Sequence, residues 1–181
     1  LVHAAAGGVG LILCQWAKAL GASVIGTVST DEKAEIARAH GCDHPIVYTR
    51  EDFVAEVERI TGGAKLPVVY DSVGRDTFAR SLDCLAMRGL MVSYGNASGP
   101  PGPIAPGLLA QKGSLFLTRP TLFHYIAARD ELEHSAGELL AMVAAGRLRI
   151  DIGQRFALRD AAQAHRALES RATSGSTILI V

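Results

Sequence analysis

The sequence predicts an α/β fold built on a doubly wound, parallel, six-stranded sheet, and three observations carry that expectation. Apolar extended runs alternate with helical patterning at short intervals over residues 1–95. The extended runs are apolar enough to be covered on both faces, as strands of a parallel sheet wrapped by right-handed crossovers must be. The first run breaks at once into Gly7-Gly8-Val9-Gly10, a strand, a tight turn and a helix in succession.

Leu1 to Ala6 is the first strand, and apolar spacing through Leu11, Ile12, Trp16, Ala17 and Leu20 marks the first helix, ended by Gly21-Ala22. Ser23 to Val28 reads as a buried strand, Asp31 to His40 as a helix closed by Gly41, and Pro45 to Tyr48 as a third strand. Thr49-Arg50-Glu51-Asp52 is rich in capping residues and opens a helix through Phe53, Val54, Val57 and Ile60, which Thr61-Gly62-Gly63 closes. Leu66 to Asp71 is the fourth strand, interrupted early by Pro67. Asp76 to Leu85 is the next helix, and the stretch from Met87 to Gly95 carries the fifth strand.

Residues 96–107 are the one Pro/Gly-rich stretch and are expected to loop over the carboxyl edge of the sheet. A helical turn at Leu108 to Lys112 leads to a sixth strand, Ser114 to Thr118, and Tyr125 to Ala145 reads as one long amphipathic helix. The tail changes character: Ile150 to Phe156 is extended, Arg159 to Ser170 helical, and Thr177 to Val181 a final strand.

With 181 residues and 49% apolar content the chain can bury a full core without disulfides. Eighteen basic residues balance eighteen acidic ones, so no basic field exists to recruit nucleic acid or an anionic membrane. No apolar stretch is long enough to span a bilayer. Cys14, Cys42 and Cys84 are odd in number and far apart, which suggests neither a disulfide framework nor a zinc knuckle and fits a reducing cytoplasm. Cys42 and His44 lie ahead of a strand, and His3 reads as a satisfied strand histidine. The chain begins inside a strand without an initiator methionine, so an N-terminal portion is expected to be missing.

The glycine turn points to a nucleotide. A helix start following a tight turn aims unpaired N–H groups at a common point and favours an anion there, a diphosphate above all. The dinucleotide fingerprint G-x-G-x-x-G is met by Ala5, Gly7 and Gly10, with Ala5 tolerable provided its φ stays negative. A carboxylate at the end of the second strand would bind a ribose 2′-hydroxyl; Val28-Ser29-Thr30 stands there instead. Ser29, Thr30, Lys33 and Tyr48 therefore form a candidate pocket for a 2′-phosphate, hence NADPH over NADH. Spacing alone leaves open that Lys33 is a solvated helix lysine and Tyr48 a half-buried strand end. Asp31 would reverse the preference if it faced the ribose.

The stretches VHAAAGGVG (2–10), CQWAKALGA (14–22), GTVSTDEK (26–33), VVYDSVG (68–74), RGLMVSYGNASG (88–99), QKGSL (111–115), TRP (118–120) and ESRATSGS (169–176) resemble the zinc-independent, ζ-crystallin-like quinone oxidoreductases of the medium-chain dehydrogenase/reductase superfamily. The resemblance implies a Rossmann-type NADPH-binding domain over 1–149. It also implies a segment, 150–181, that returns to a GroES-like catalytic domain lying ahead of this sequence. The implied activity is hydride transfer from NADPH to a quinone or related enone. The alternatives are an enoyl or alkenal reductase of the same superfamily and a non-catalytic NADPH-binding redox sensor or structural protein.

The resemblance assigns Ala6, Gly7, Gly8, Val9 and Gly10 to the pyrophosphate turn and Lys33 and Tyr48 to the 2′-phosphate. It sets Ser72, Val73 and Gly74 against the adenosine, and Gly95 and Asn96 beside the cofactor. Phe116, Leu117 and Thr118 would present backbone to the nicotinamide carboxamide, and Arg171 is similar to a further phosphate contact. No metal ligand and no catalytic acid or base is identified. The sixth strand would leave an apolar edge suited to pairing with a second copy across a two-fold axis.

Overall fold

The computed structural model describes residues 1–181, and its centre is a single parallel sheet. Strand β1 (Ile25–Val28) pairs with β2 (His44–Val47), and β3 (Leu66–Asp71) pairs with β4 (Leu85–Ser93), which pairs with β5 (Phe116–Thr118). The two ladders are joined by the first residues of the chain: Val2 bridges Gly26 on one side and Tyr70 on the other. Backbone bonds fix that register, with Val2 N–H donating to Ile25 O (2.9 Å), Thr27 N–H to Val2 O (3.0 Å) and His3 N–H to Tyr70 O (3.0 Å). The spatial order is thus β2, β1, the 1–3 segment, β3, β4, β5.

The expected first strand is shorter than its apolar run. Ala4 takes a left-handed φ of +54°, which turns the chain out of the sheet directly after His3. Pro67 accounts for a second irregularity. It has no N–H to give the ladder, and the β3–β4 register shifts between Leu66 and Val68.

Helices cover both faces, and alternation along the strands divides the core between them. Ile25, Ile46, Val69 and Met91 face the cluster made with α3 (Phe53–Thr61), α4 (Phe78–Ser81) and α5 (Pro106–Gln111), where Phe53, Val57, Phe78 and Leu82 are buried. Val2, Val28 and Val47 face α1 (Gly8–Ala19) and α2 (Asp31–Ala39), meeting Cys14, Ala34 and Ala37. Helix α3 begins where the capping residues predict. Asp52 accepts from Val54 N–H at 2.9 Å and Ala55 N–H at 3.2 Å, and Gly62 ends the helix at φ +59°.

Three expected boundaries move. The helix expected over Asp76 to Leu85 is one α-turn followed by a 3₁₀ turn, Leu82–Cys84, and β4 starts at Leu85. The sixth strand starts at Phe116, since Gly113 (φ +114°) and Ser114 (φ +57°) turn the chain before it. The long helix divides into α6 (Leu122–Tyr125) and α7 (Arg129–Ala144): Glu131 reaches back to accept from Ala128 N–H at 3.1 Å, which fixes a new helix start.

The tail forms its own two-stranded parallel ladder, β6 (Ile152–Ala157) with β7 (Ser176–Ile180), connected by α8 (Ala161–Glu169). It is tied to the rest of the molecule beside α1 and α2. The Gln15 side-chain amide donates to Arg149 O (3.0 Å) and accepts from Arg149 N–H (2.8 Å), and buried His40 meets Asp151 at 2.8 Å. Gly175 N–H donates to Ala6 O at 3.0 Å, so the tail reaches the glycine turn itself.

Candidate nucleotide site

The site is built from the carboxyl ends of the strands. The chain leaves the sheet at Ala4, and Gly7 N–H closes a turn onto Ala4 O at 2.9 Å. Gly7, in an extended conformation (φ −78°, ψ 167°), caps α1 with no side-chain bond, and no acidic residue stands in the first helical turn. The N–H groups of Val9 and Gly10 find no acceptor in the chain and point out of the helix start, while Gly8 follows directly on the parallel bridge between Gly7 and Gly175. Ala5 keeps a negative φ, as the departure from the glycine fingerprint requires; the left-handed residue is Ala4. A Cβ on Gly10 would lie 2.3 Å from Ala4 O and 2.8 Å from Ala5 Cα, so the turn and the helix touch backbone to backbone.

Beside this turn lies a cavity of about 280 Å³, lined by His3, Ala6, Gly7 and Thr27, by Ser29, Lys33, Tyr48 and Arg171, and by Val73, Thr77 and Arg80 among others. Its best-defined corner collects charge. Lys33 Nζ donates to the carbonyl of Arg171 at 2.6 Å, and Arg171 Nη1 donates to Tyr48 Oη at 3.3 Å. Partial burial, and then the Arg171 guanidinium, hold the Lys33 ammonium below its ordinary pKa. Two cations and a phenol therefore converge where β1 and β2 end.

Asp31 takes no part in that corner. Its carboxylate forms a two-pronged pair with Arg50, at 2.5 and 2.7 Å, on the exposed surface, and the guanidinium holds its pKa below the usual value. The lining has one carboxylate, Asp76, in the loop after β3.

The structure thus brings Ala6, Gly7, Ser29, Lys33, Tyr48, Val73 and Arg171 to one cavity, with Gly8, Val9 and Gly10 in the adjoining helix start. Thr30 stands just outside, its hydroxyl capping α2 by accepting from Lys33 N–H at 3.3 Å. Ser72, Gly74, Gly95 and Asn96 form a packed crossing of two loops. A Cβ on Gly74 (φ +91°) would meet Gly99 O at 2.4 Å, and one on Gly95 would meet Ser72 O at 2.3 Å. Arg119 pins the same crossing by donating to Ser93 O (2.9 Å) and Gly95 O (3.0 Å). Phe116, Leu117 and Thr118 form β5 at the sheet edge, away from the cavity.

Phe53, Asp76, Thr77 and Arg80 line the cavity without having been singled out from sequence. Their signal was position: they follow strand ends, where ligands of open α/β sheets bind. Arg80 lies over the Phe53 ring at 4.5 Å and pairs with Asp52 at 2.6 Å.

His3 forms part of the cavity floor and is 1% exposed. Burial depresses its pKa from 6.5 to about 4, against a smaller opposite pull from Asp71. The native protein therefore refuses a proton that the unfolded chain accepts. The stability this confers is intact above pH 6.5 and is lost as pH falls towards 4, by about 3 kcal/mol over the window. Urea midpoints from pH 7 to 4.5 should fall accordingly, and His3→Phe should flatten that fall; an unchanged slope would reject it.

No three His, Cys, Asp or Glu side chains come together as metal donors, and the three thiols are buried.

The family model described as zinc-binding dehydrogenase matches residues 8–144. A quinone oxidoreductase of Pseudomonas aeruginosa is 56% identical over 180 residues, covering 99% of this chain and 55% of its own length. A 2-haloacrylate reductase of Burkholderia is 50% identical over 181 residues, with 99% and 54% covered. The crystal structure of Escherichia coli quinone oxidoreductase complexed with NADPH superposes with a TM-score of 0.96 at 55% identity, over 99% of this chain and 56% of that one. The chain thus spans just over half the length of the relatives it matches. Fold, glycine turn and similarity agree: the chain belongs to the zinc-binding dehydrogenase family, as the Rossmann-type, cofactor-binding part found in quinone oxidoreductases of the medium-chain dehydrogenase/reductase superfamily.

Proposed function

We propose that this chain is the NADPH-binding part of a reductase that delivers a hydride to a quinone. One observation carries the cofactor reading: Lys33, Arg171 and Tyr48 converge beside an uncapped, glycine-lined helix start, while the nearby carboxylate, Asp31, is held by Arg50. Free amides at the helix start suit a diphosphate, and the paired cations suit a 2′-phosphate. NADPH supplies the hydride when bound. Ala6 to Gly10, Ser29, Lys33, Tyr48, Val73 and Arg171 then hold its nucleotide half, so that binding energy goes into position. Ser72, Gly74, Gly95 and Asn96 shape the loop crossing that supports this half, and Phe116 to Thr118 offer edge backbone for the nicotinamide end.

The acceptor class is supported by the similarity to quinone oxidoreductases. The 50% identity to a 2-haloacrylate reductase favours a second reading, reduction of an activated alkene. The intact protein, assayed for NADPH oxidation with 1,4-benzoquinone, with a 2-alkenal and with no acceptor, decides. Turnover with the quinone is expected; turnover with the alkenal alone would reject the quinone reading, and binding without turnover would favour a redox sensor.

Residues 150–181 form the returning segment in this reading, which is supported by their separate β6–β7 ladder and by Ile152, Leu179 and Ile180, each more than 40% exposed. A cytoplasmic setting is supported by the three free thiols. The proposed dimer forms along β5, an edge strand hydrogen-bonded to β4 alone, whose Phe116 is 60% exposed. Light scattering of the intact protein should give twice the monomer mass, and Phe116→Lys should shift it to monomer; a monomeric unaltered protein at high concentration would overturn the pairing.

A further inference from the structure

Beneath the cavity runs a line of buried polar groups that the cofactor reading does not use. His3 Nδ1 lies 2.9 Å from Thr27 Oγ1, and His3 Nε2 lies 2.9 Å from Ser81 Oγ. Ser81 Oγ is 3.1 Å from Asp71 Oδ2, and Asp71 also accepts from Thr77 Oγ1 (2.8 Å), Val73 N–H (2.8 Å) and Gly74 N–H (3.0 Å). Asp71 and Ser81 are fully buried. Thr27, His3, Val73 and Thr77 all line the cavity, whereas Ser81 does not.

The direction of this chain follows from proton counting. A neutral imidazole has one N–H and one lone pair. If the proton sat on Nδ1, Ser81 would have to give its only hydrogen to Nε2. Its oxygen would then face Asp71 Oδ2 at 3.1 Å, lone pair to lone pair, deep in the core. With the proton on Nε2 every contact is made: Thr27 donates to Nδ1, Nε2–H donates to Ser81, and Ser81 donates to the carboxylate.

We propose that His3, fixed as the Nε2–H tautomer, is a positioning residue for the nucleotide site. It carries a one-way hydrogen-bond chain from Thr27 in β1 to Asp71 at the end of β3, and so sets the 72–77 loop against the floor of the cavity. The inference rests on the nucleotide reading of that cavity. Asp71 holds the loop by two backbone amides and the Thr77 hydroxyl, and His3 ties that anchor to the strand that leads to Ser29. Adenosine contacts are shared by NADPH and NADH, so the chain serves both alike, unlike the Lys33 corner.

The test uses the intact protein with ¹⁵N-histidine labelling and NADPH and NADH as ligands. Long-range ¹H–¹⁵N spectra at pH 7 should show His3 protonated on Nε2 alone; an Nδ1–H tautomer or an imidazolium would overturn the proposal. Ser81→Ala, which does not itself line the cavity, should release the tautomer and weaken both nucleotides by the same factor, about tenfold, raising KM without lowering kcat. Thr27→Ser and Thr27→Val should both keep the Nε2–H tautomer, because Ser81 and Asp71 set it from the other side of the ring. Unaltered binding by Ser81→Ala overturns this inference alone. Failure of the unaltered protein to bind either nucleotide overturns the cofactor reading and this inference with it.

Discussion

Gly10→Ala should lower stability by about 3 kcal/mol, or roughly 6–12 °C in Tm for a chain of this size, and abolish nucleotide binding. The added Cβ would stand 2.3 Å from Ala4 O and 2.8 Å from both the carbonyl carbon and the Cα of Ala5. These are backbone atoms, and the turn that carries them is pinned from three sides. Ala5 N–H is bonded to Thr27 O, Gly7 N–H to Ala4 O, and Ala6 O to Gly175 N–H. Relief would require α1 to back away from the sheet, which opens the Cys14 and Leu11 packing and moves the free Val9 and Gly10 amides off their common point. Gly137→Ala is the control. Nothing lies within 4 Å of its Cβ position in the exposed helix α7, and it should stabilise by about 0.5–1 kcal/mol. Melting curves and titration with NADPH check both; a Gly10→Ala protein melting within about 2 °C of the unaltered one would show that the contact yields cheaply.

That contact was legible in the sequence because G-x-x-G spacing after an apolar run has few other uses, and the same holds for elements with strong local signals. Helix α3 begins at the Asp52 cap and ends at Gly62, and β3 occupies the span from Leu66 to Asp71 that its apolar run marks. Elements set by distant partners were not legible. Periodicity runs through residues 125–145, yet the backbone leaves the helix at Ile126 and Ala128, and the Glu131 side chain, reaching back to Ala128, caps the new start. The first strand is one bridge long because of the conformation of Ala4, which an alanine does not advertise. In the site, Ser29, Lys33 and Tyr48 could be grouped by their places after β1 and β2, but Arg171 arrives 138 residues beyond Lys33, and only the family resemblance pointed to it. The spacing gave no hint that Arg50 would occupy Asp31, nor that a histidine in a strand would join Thr27 to Asp71.

Lys33→Ala should weaken NADPH by about 1–3 kcal/mol, roughly a 5- to 150-fold rise in Kd, and leave NADH nearly unchanged. The asymmetry follows from what holds the lysine. Its ammonium is fixed by the Arg171 carbonyl at 2.6 Å, and its proton affinity is lowered by partial burial first and by the neighbouring guanidinium second. Two like charges held together are unfavourable until an anion enters between them, and a 2′-phosphate gives that relief while a 2′-hydroxyl does not. Raising ionic strength should therefore weaken NADPH more steeply than NADH in the unaltered protein, and the difference should shrink in Lys33→Ala. Arg171→Ala should act in the same direction and less than additively with Lys33→Ala, because each removal also ends the repulsion endured by the other. Lys33→Glu should go further and invert the preference by setting a carboxylate where the phosphate would lie. Isothermal titration of the unaltered protein, the three single variants and the Lys33→Ala/Arg171→Ala double variant with both nucleotides is sufficient. Equal losses for NADPH and NADH, the pattern expected of Ser81→Ala, would remove Lys33 from the 2′-phosphate corner and reduce it to a support for the Arg171 loop.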